Sequence, residues 1–379
     1  MKRIVYLSPG VFDKGGISRY SRYQIRALRE LLGEDAVSVL SLAPPGPGDF
    51  EDAFPVDFAS FGYTRTGKVF FAAAMVAAGL GERPAALWSA HLHLGPIALA
   101  LSRLARATFV LNVYGAEVWT DVTRARAAVL GHADHVISDC YNTRSYLDER
   151  GIRAQSRTAV HWDCVDLARF FPGEAGNVLA RYGVPACSPD TVTVLSLARM
   201  SLGTEYKGYD RLLEVFARLP QALPVRLVLA GEGARRPLLT EKARALGLAS
   251  RVHFTGSVHE QDLPALYRAC DVFSLVTNNG PGLGEGIPLT PLEAAACGKP
   301  ILVGDQDGSH EAVEDGVSGF VLHSFDLDAL RERIVRLTGD AALRARMGAA
   351  GRERIAREHS YERFRDRVAE VLGEMGMGR

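Results

Sequence analysis

The sequence lacks an excess of charge of either sign. Its 379 residues include 44 Lys and Arg against 44 Asp and Glu, which gives a formal net charge of +0. Proteins that bind nucleic acid usually carry a clear basic excess, so we expect no nucleic-acid partner. Cysteine is also scarce. The five cysteines are scattered and contain no C-x-x-C pair, which argues against a disulfide framework or a zinc site and fits a reducing cytoplasm.

The chain also lacks an apolar run of the roughly 20 residues that a membrane span needs. Its most apolar stretch, residues 69–80, predicts a buried helix instead. At the N-terminus, Met1-Lys2-Arg3 leads directly into a strand-like run, without the apolar region of a signal peptide. We therefore expect a cytoplasmic protein, either free or peripheral at the inner face of the membrane.

Short apolar runs alternate with helix-like segments along the whole chain. Such runs, separated by helices, indicate parallel sheets covered on both faces. Two series of them predict an α/β fold with two doubly wound, Rossmann-like domains. The predicted strands are Ile4–Ser8, Leu87–Ala90, Phe109–Val113 and His135–Ser138 in the first series, and Thr191–Leu197, Arg226–Ala230, Val252–Thr255, Val272–Leu275, Pro300–Val303 and Gly319–Leu322 in the second.

A Pro172-Gly173 pair interrupts this pattern and is followed by a polar stretch. Proline and glycine end regular elements, so we place the domain boundary there, with domains at 1–172 and 173–359. From about Ala341 to the end the chain predicts helix, rich in Arg and Glu. No strand follows this helix, so we expect it to pack on the outside of one or both domains.

Four arginines recur at helical spacing in the predicted helix Tyr20–Leu32 and just before it: Arg19, Arg22, Arg26 and Arg29. Two interpretations are open. The row is either a solvated helix face or a contact with an anionic membrane surface or a phosphorylated acceptor.

Ligands of open α/β folds bind beyond the carboxyl ends of the strands, where two loops stand out. Gly15 and Gly16 follow the first strand and precede a helix, so their backbone can approach an anion, although a tight structural turn explains them equally well. Arg199 and Lys207 flank the loop after the strand ending at Leu197. Two cations there can neutralise a diphosphate leaving group, whereas loop cations elsewhere are mostly solvated.

The strongest motif is the run from Gly284 to Pro300, which carries two carboxylates eight positions apart. Glu285 lies in a glycine-containing loop, and Glu293 lies about one turn into the following helix. The intervening backbone and the helix N-terminus favour a phosphate. Two carboxylates beside a phosphate need hydroxyl partners, which a sugar and a ribose would supply.

This motif resembles the E-x-x-x-x-x-x-x-E signature of retaining GT-B glycosyltransferases of family 4. Other segments are similar to that family as well: Lys207–Leu213, Arg251–Val258, Gly304–Val313 and Ser360–Phe364. The resemblance implies two Rossmann-like domains facing across a cleft, with a nucleotide sugar as co-substrate and no further cofactor. It also implies that residues 360–379 form a helix packing back on the N-terminal domain.

The resemblance assigns roles to individual residues of the donor site. Glu285 would hydrogen-bond the donor sugar, and Glu293 would hold the nucleotide ribose. Arg199 and Lys207 would bind the diphosphate. The remaining implied donor contacts are made by the backbone, at Gly15 and Gly16 for the phosphates, at Val258 for the base, and at Leu289 and Thr290 for phosphate.

One segment of the first domain departs from the family. Where relatives have His-Gly-x-Glu, with the histidine near the reacting carbon, this sequence has Tyr114-Gly115-Ala116-Glu117. The histidine role does not carry over, and Tyr114 and Glu117 become candidates for the acceptor side. The linker also differs, because Trp162-Asp163-Cys164-Val165-Asp166 stands where Pro-Asn-Gly-Val-Asp is usual.

Possible metal ligands are few and scattered. His91 and His93 follow a predicted strand, but no carboxylate or cysteine near them in sequence completes a site. The D-x-D tripeptides 305–307 and 326–328 match a short pattern of metal-dependent transferases, which arises often by chance. We predict that the chain binds no metal, and we interpret the two histidines as loop or core residues.

The sequence thus predicts a retaining, metal-independent glycosyltransferase. It would act on a hydroxyl of a glycan, lipid-linked or small glycoside acceptor. An inactive nucleotide-sugar-binding protein on the same fold is the alternative. A dinucleotide-dependent oxidoreductase would need a G-x-G-x-x-G turn, and the first turn, 8–16, does not match.

Overall fold

The computed structural model describes residues 3–13, 15–44, 54–81, 83–119, 122–280 and 283–378; Lys14, in the first glycine loop, lies outside them. The chain forms two compact units, Met1–Cys164 with Tyr361–Arg379, and Val165–Ser360. The division falls earlier than the boundary predicted at residue 172. The difference has a tertiary cause, because two arginines of the second unit hold the segment before residue 172. Arg352 Nη1 donates to the Phe170 carbonyl at 2.7 Å, and Arg268 Nε donates to the Phe171 carbonyl at 2.8 Å.

The first unit contains a seven-stranded parallel sheet in the order β3-β2-β1-β4-β5-β6-β7. Its first strand is buried at every position, as expected for a sheet covered on both faces. Three short strands were not predicted, namely the second, third and seventh. The strands are β1 (Ile4–Ser8), β2 (Val37–Ser41), β3 (Phe58–Ala59), β4 (Ala86–Ser89), β5 (Thr108–Val113), β6 (His135–Ser138) and β7 (Thr158–Val160).

Helices cover both faces of this sheet. The helices between the strands are α1 (Gly16–Leu32), α2 (Arg65–Gly81), α3 (Gly95–Ala105), α4 (Gly115–Val118), α5 (Arg124–His132) and α6 (Tyr141–Glu149). One core cluster joins α1 to the sheet, and a separate cluster joins α2, α3, α5 and α6 to the opposite face.

The second unit contains a six-stranded parallel sheet in the order β10-β9-β8-β11-β12-β13. Its strands are β8 (Val192–Leu197), β9 (Val225–Ala230), β10 (Val252–Gly256), β11 (Val272–Leu275), β12 (Ile301–Gly304) and β13 (Gly319–Leu322). Its helices are α7 (Val178–Arg181), α8 (Tyr209–Ala217), α9 (Arg236–Ala245), α10 (Leu263–Arg268), α11 (Leu289–Ala296), α12 (Leu327–Gly339) and α13 (Ala341–Glu358). All six strands of the second predicted series are present.

The last helix, α14 (Tyr361–Glu374), returns to the first unit and packs beside α1. The ring of Phe364 meets that of Tyr20 edge to face, with the centroids 5.1 Å apart. The side chains of Phe364, Val368 and Val371 are buried in the same cluster as α1. The predicted return of the C-terminal helix to the first domain is confirmed.

Helix α1 corrects the interpretation of the arginine row as a solvated face or a membrane contact, whereas contact with a phosphorylated acceptor stays a prediction. Arg19 and Arg22 are buried rather than solvated or available to a membrane, and Arg22 Nη1 donates to the Val11 carbonyl at 3.0 Å. Arg26 is exposed, but its guanidinium lies over the Tyr361 ring, 4.1 Å from the centroid. The sheet covers one side of α1 and α14 covers another, and helical spacing alone does not reveal a second covering helix.

Helix α2 corrects the prediction of a buried helix over residues 69–80. Phe71 and Met75 are buried against the sheet, whereas Val69, Phe70 and Leu80 are exposed. Only one side of the helix reaches the sheet, although apolar residues surround it. No helix in the described part of the chain is long and apolar enough to cross a membrane.

Candidate functional site

The second sheet has its topological switch point between β8 and β11. The chain proceeds outward from β8 through β9 to β10, and outward in the other direction from β11 through β12 to β13. Loops after the two central strands therefore diverge and leave a crevice at their carboxyl ends, where ligands of doubly wound sheets bind. The predicted cations follow β8, and the predicted carboxylates follow β11.

The loop after β8 is held by the glycine turn after β9. The Met200 N–H donates to the Glu232 carbonyl at 3.0 Å, and the Arg235 N–H donates to the Met200 carbonyl at 2.8 Å. Gly233 has φ of 150°, and a Cβ there would lie 2.4 Å from the Met200 backbone. This turn, uninformative in sequence, fixes the backbone beside Arg199, whose own side chain is exposed.

Lys207 forms an ion pair with Glu285, so the structure brings two of the predicted donor residues together. The lysine side chain is only 10% exposed and that of Glu285 is 20% exposed. Tyr206 belongs to the same cluster, because its hydroxyl hydrogen-bonds the Glu285 carboxylate. Burial first and Glu285 next raise the pKa of this hydroxyl, whereas Arg199 lowers it. A lysine, a tyrosine hydroxyl and a carboxylate thus form one polar cluster, with Arg199 close enough to affect it.

Asp307 positions the Glu285 loop, a role that the sequence did not reveal. Its carboxylate accepts the Glu285 N–H at 2.9 Å and the Ser309 N–H at 3.0 Å. Asp307 is fully buried, and burial raises the pKa of its carboxyl. The D-x-D aspartate is therefore a backbone anchor. No cluster of three metal-ligating side chains occurs within the described ranges.

The helix α11 begins at Leu289 and Thr290, the residues predicted to offer backbone amides. Pro288 occupies the N-cap position, and among the described residues no side chain caps this end. Glu293 lies further along the helix and is 1% exposed, with the Tyr267 hydroxyl donating to its Oε2 at 2.6 Å. The sequence did not single out Tyr267 as a partner of this carboxylate.

The two glutamates thus have different surroundings. Glu285 lies against Lys207 and Tyr206, whereas Glu293 is buried against Tyr267. Val258 is half-buried just beyond the edge strand β10, which β9 separates from β8. The sugar, ribose and base roles of these residues remain predictions.

The first sheet has its own switch point between β1 and β4. Gly16 is the first residue of α1, and Gly15 precedes it with φ of 151°. A Cβ at Gly15 would meet no described atom within 4 Å, so the space beyond it is open. Both glycines stand where the N-terminus of a 17-residue helix attracts an anion.

A cavity of about 360 Å³ opens at this switch point. It brings together the loops after β1, β4 and β5, because parallel strands end at the same edge of the sheet. Both acceptor-side candidates line it, as do the two histidines that we had interpreted as loop or core residues. The lining residues are Ile17, His91, His93, Tyr114, Ala116, Glu117 and Arg126.

Glu117 organises the floor of this cavity. Its carboxylate accepts the Leu92 N–H at 3.1 Å and the Tyr114 N–H at 2.9 Å. His91 Nδ1 lies 2.7 Å from Glu117 Oε2. The same Nδ1 accepts the His93 N–H at 3.2 Å, so His91 links the Glu117 carboxylate to the backbone of its own loop.

Arg126 brings a cation to the lining of this cavity. The pKa of His93 is lowered first by burial and then by His91, Arg126 and Lys68, whereas Glu117 acts in the opposite direction. Glu117, the carboxylate among the described lining residues, already accepts two backbone N–H groups. Arg126 therefore offers an anionic group of a ligand a charge-assisted hydrogen bond.

Tyr114 lies at the boundary between cavity and core. Its ring meets that of Tyr20 edge to face at 5.4 Å, and the Asn112 amide donates to its hydroxyl at 3.4 Å. Burial raises the pKa of this hydroxyl well above its ordinary value. Tyr114 therefore shapes the cavity as a neutral side chain.

Comparisons with known proteins agree on a family. Residues 188–354 match the family described as glycosyl transferases group 1. The chain is 32% identical over 289 residues to a GDP-mannose-dependent alpha-(1-6)-phosphatidylinositol monomannoside mannosyltransferase of Mycolicibacterium smegmatis, covering 74% of this chain and 72% of that protein. It is also 32% identical over 270 residues to a D-inositol 3-phosphate glycosyltransferase of Salinispora tropica, covering 65% of this chain and 52% of that protein.

Solved structures resemble the fold over nearly the whole chain. HepE of Anabaena, in complex with UDP and glucose, superposes with a TM-score of 0.81 at 19% identity, covering 98% of this chain and 100% of that one. Sucrose-phosphate synthase of Thermosynechococcus elongatus gives a TM-score of 0.77 at 20% identity, covering 99% of each chain. These similarities confirm the predicted GT-B fold.

Proposed function

This chain belongs to the glycosyl transferases group 1 family, and we propose from that premise that it transfers a sugar from a nucleoside diphosphate to a hydroxyl with retention of anomeric configuration. The observation that carries the proposal is the cluster of Lys207, Glu285 and Tyr206 at the switch point of the second sheet. This cluster lies within the residues that match the family. We infer that the second unit binds the donor there.

We propose that cations of the chain stabilise the leaving diphosphate. As the glycosidic bond to the sugar breaks, negative charge develops on the phosphate oxygen, and preorganised positive groups lower the energy of that state. Lys207 and Arg199 supply full charges, and the N-terminus of α11 supplies a partial one. In this proposal no divalent metal is required for the same task.

Retention has a physical basis in the carboxylates. A double displacement needs a nucleophile on the sugar face opposite the leaving group. Glu285 pairs with Lys207, and we assign it to a sugar hydroxyl rather than to the anomeric carbon. In the proposed step the acceptor oxygen attacks from the face that the diphosphate leaves, and a departing phosphate oxygen takes the acceptor proton. The bond between the anomeric carbon and the phosphate oxygen breaks as the new glycosidic bond forms.

We expect the product to keep the donor's anomeric configuration and the reaction to proceed in the presence of a chelator. Proton NMR of the product gives the configuration directly, and assays with EDTA test the metal dependence. A screen of nucleoside diphosphate sugars by thermal shift identifies the donor, because a ligand at 100 times its dissociation constant stabilises by about 2.7 kcal/mol. Donor binding without any turnover would instead favour an inactive binding protein.

For the acceptor we propose a phosphate-bearing polyol, either free or as the head group of a lipid. The support is the cavity of the first unit, where Arg126 is in the lining and the charge of Lys68 also reaches His93. Two relatives point to the same chemistry, since one is named for phosphatidylinositol monomannoside and the other for D-inositol 3-phosphate. His91, which lines the cavity, would hydrogen-bond a polyol hydroxyl.

Arg126→Gln should raise the KM for a phosphorylated acceptor by about tenfold or more, because a charge-assisted hydrogen bond to phosphate would be lost. The kcat should change little if the arginine binds ground state and transition state alike. Initial rates with inositol phosphate and with unphosphorylated inositol provide the measurement. The matched control is Arg124→Gln, an exposed arginine of the same helix that does not line the cavity. If the two substitutions had equal effects on KM, the cavity would not be the binding site of the acceptor phosphate.

A further inference from the structure

Beyond its first turn, the outward side of α2 is apolar. Val69, Ala73, Val76, Ala77 and Leu80 are all exposed, and their spacing places them on one side of a helix. The opposite side is apolar too, because it packs against the sheet. A helix that is apolar all round is normally buried all round. The exposed side therefore lacks the polar residues that a permanently solvated surface would carry.

Helix α3 extends the same surface. A Cβ on Gly79 of α2 would lie 3.5 Å from the Leu101 side chain of α3, so the two helices pack closely side by side. Ala98 and Leu101 of α3 share the core cluster of α2. The exposed Ile97 and Leu104 of α3 consequently lie on the outward side, as the exposed residues of α2 do.

We call this surface the α2–α3 face and define it by six exposed residues: Val69, Phe70, Val76, Leu80, Ile97 and Leu104. Single exposed apolar side chains are ordinary. A contiguous group on two adjacent helices is not, and such patches mark contacts with partners or membranes.

The charged residues of the two helices are all cations. Helices α2 and α3 contain Arg65, Lys68 and Arg103, and neither contains Asp or Glu. Arg65 and Lys68 occupy the first turns of α2, where a cation opposes the helix dipole and destabilises the helix. Arg106 is exposed just beyond the end of α3. Helix stability does not explain the two cations on α2, whereas an anionic partner does.

We propose that the α2–α3 face docks on the surface of an anionic lipid bilayer. Apolar side chains would enter the boundary between head groups and acyl chains, and the flanking cations would lie among anionic head groups. A second copy of the chain fits less well. In a twofold interface the face would meet itself, and neither α2 nor α3 has a carboxylate that could pair with Arg65 or Lys68 of the other copy.

Co-sedimentation of the full chain with lipid vesicles tests this inference. Vesicles of phosphatidylcholine alone are compared with vesicles that also contain phosphatidylglycerol, at about 0.1 M salt, where charges within about 10 Å still interact. Neither nucleotide sugar nor acceptor is added, so the result is independent of the proposed reaction. We expect binding to the anionic vesicles at least about tenfold stronger than to the neutral ones.

Variants separate the apolar and the charged contributions. Replacing Val69 and Phe70 together by Ser should weaken binding to anionic vesicles about tenfold or more. Replacing Arg65 and Arg106 together by Gln should remove most of the preference for anionic lipid. Leu104→Ser should weaken binding as well, whereas its matched control, Leu238→Ser of α9, should not. The two leucines are similarly exposed, at 72% and 61%, but lie on different units. Thermal unfolding checks that each variant is folded.

Three outcomes would overturn the inference. The first is equal binding to neutral and anionic vesicles, or no binding to either. The second is a loss for Leu238→Ser as large as that for Leu104→Ser. The third is a dimer, seen by sedimentation velocity, that dissociates when Val69 and Phe70 are replaced, which would assign the face to a second copy.

Discussion

Lys207→Ala and Arg199→Ala should each lower turnover by about 100-fold or more with the fold retained. The proposed leaving group gains negative charge as it departs, and loss of one preorganised positive group at such a position typically costs two to three orders of magnitude in kcat. Lys207 is largely buried and paired with Glu285, so its charge is poorly screened by water. Steady-state rates with a saturating nucleotide sugar measure the effect.

Removal of Lys207 also leaves Glu285 without its cationic partner. Lys207→Met is therefore a useful companion, because it keeps most of the side-chain volume while removing the charge. The control for Arg199 is Arg218→Ala, an exposed arginine at the far end of α8, about 13 Å along the helix from its start. Near-normal turnover in both Lys207→Ala and Arg199→Ala would mean that the phosphates bind elsewhere.

Glu285→Gln should lower turnover by a comparable factor and reduce discrimination between donor sugars. A site that hydrogen-bonds a substrate hydroxyl rejects analogues without it by large factors, because its buried polar groups are then unpaired. The measurement is kcat/KM for a donor and for its deoxy analogues, with the unmodified enzyme and with the variant. Discrimination is the ratio of the kcat/KM value of the donor to that of the analogue. The ratio should fall toward one in the variant.

Glu293→Gln provides the contrast, because this carboxylate lies against Tyr267 and is buried. We expect weaker binding of the free nucleoside diphosphate and an unchanged preference between sugars. Calorimetric titration with the nucleotide alone measures this. If Glu285→Gln changed only nucleotide affinity while Glu293→Gln changed sugar preference, the two assignments would be exchanged.

The strands show where sequence patterns suffice. Ile4–Ser8, His135–Ser138, Val272–Leu275 and Gly319–Leu322 have the predicted bounds. A strand buried on both faces is largely apolar along its length, and that pattern is visible in the residues themselves. The short edge strand Phe58–Ala59 was missed, because two residues at the side of a sheet carry no such pattern.

The sequence by itself determined the two-domain α/β fold, the family and the positions of Lys207 and Glu285 as candidates. These follow from hydrophobic periodicity and from local motifs, whose residues are close in the chain. Tertiary structure alone decided which groups meet. The pairing of Glu117 with His91 joins loops after two different strands, and Asp307 holds the Glu285 loop from 22 residues away. Tertiary structure also decided that one side of α2 remains exposed. Contacts and exposure depend on how elements pack, and residue spacing within one helix or loop does not encode the neighbour that covers it.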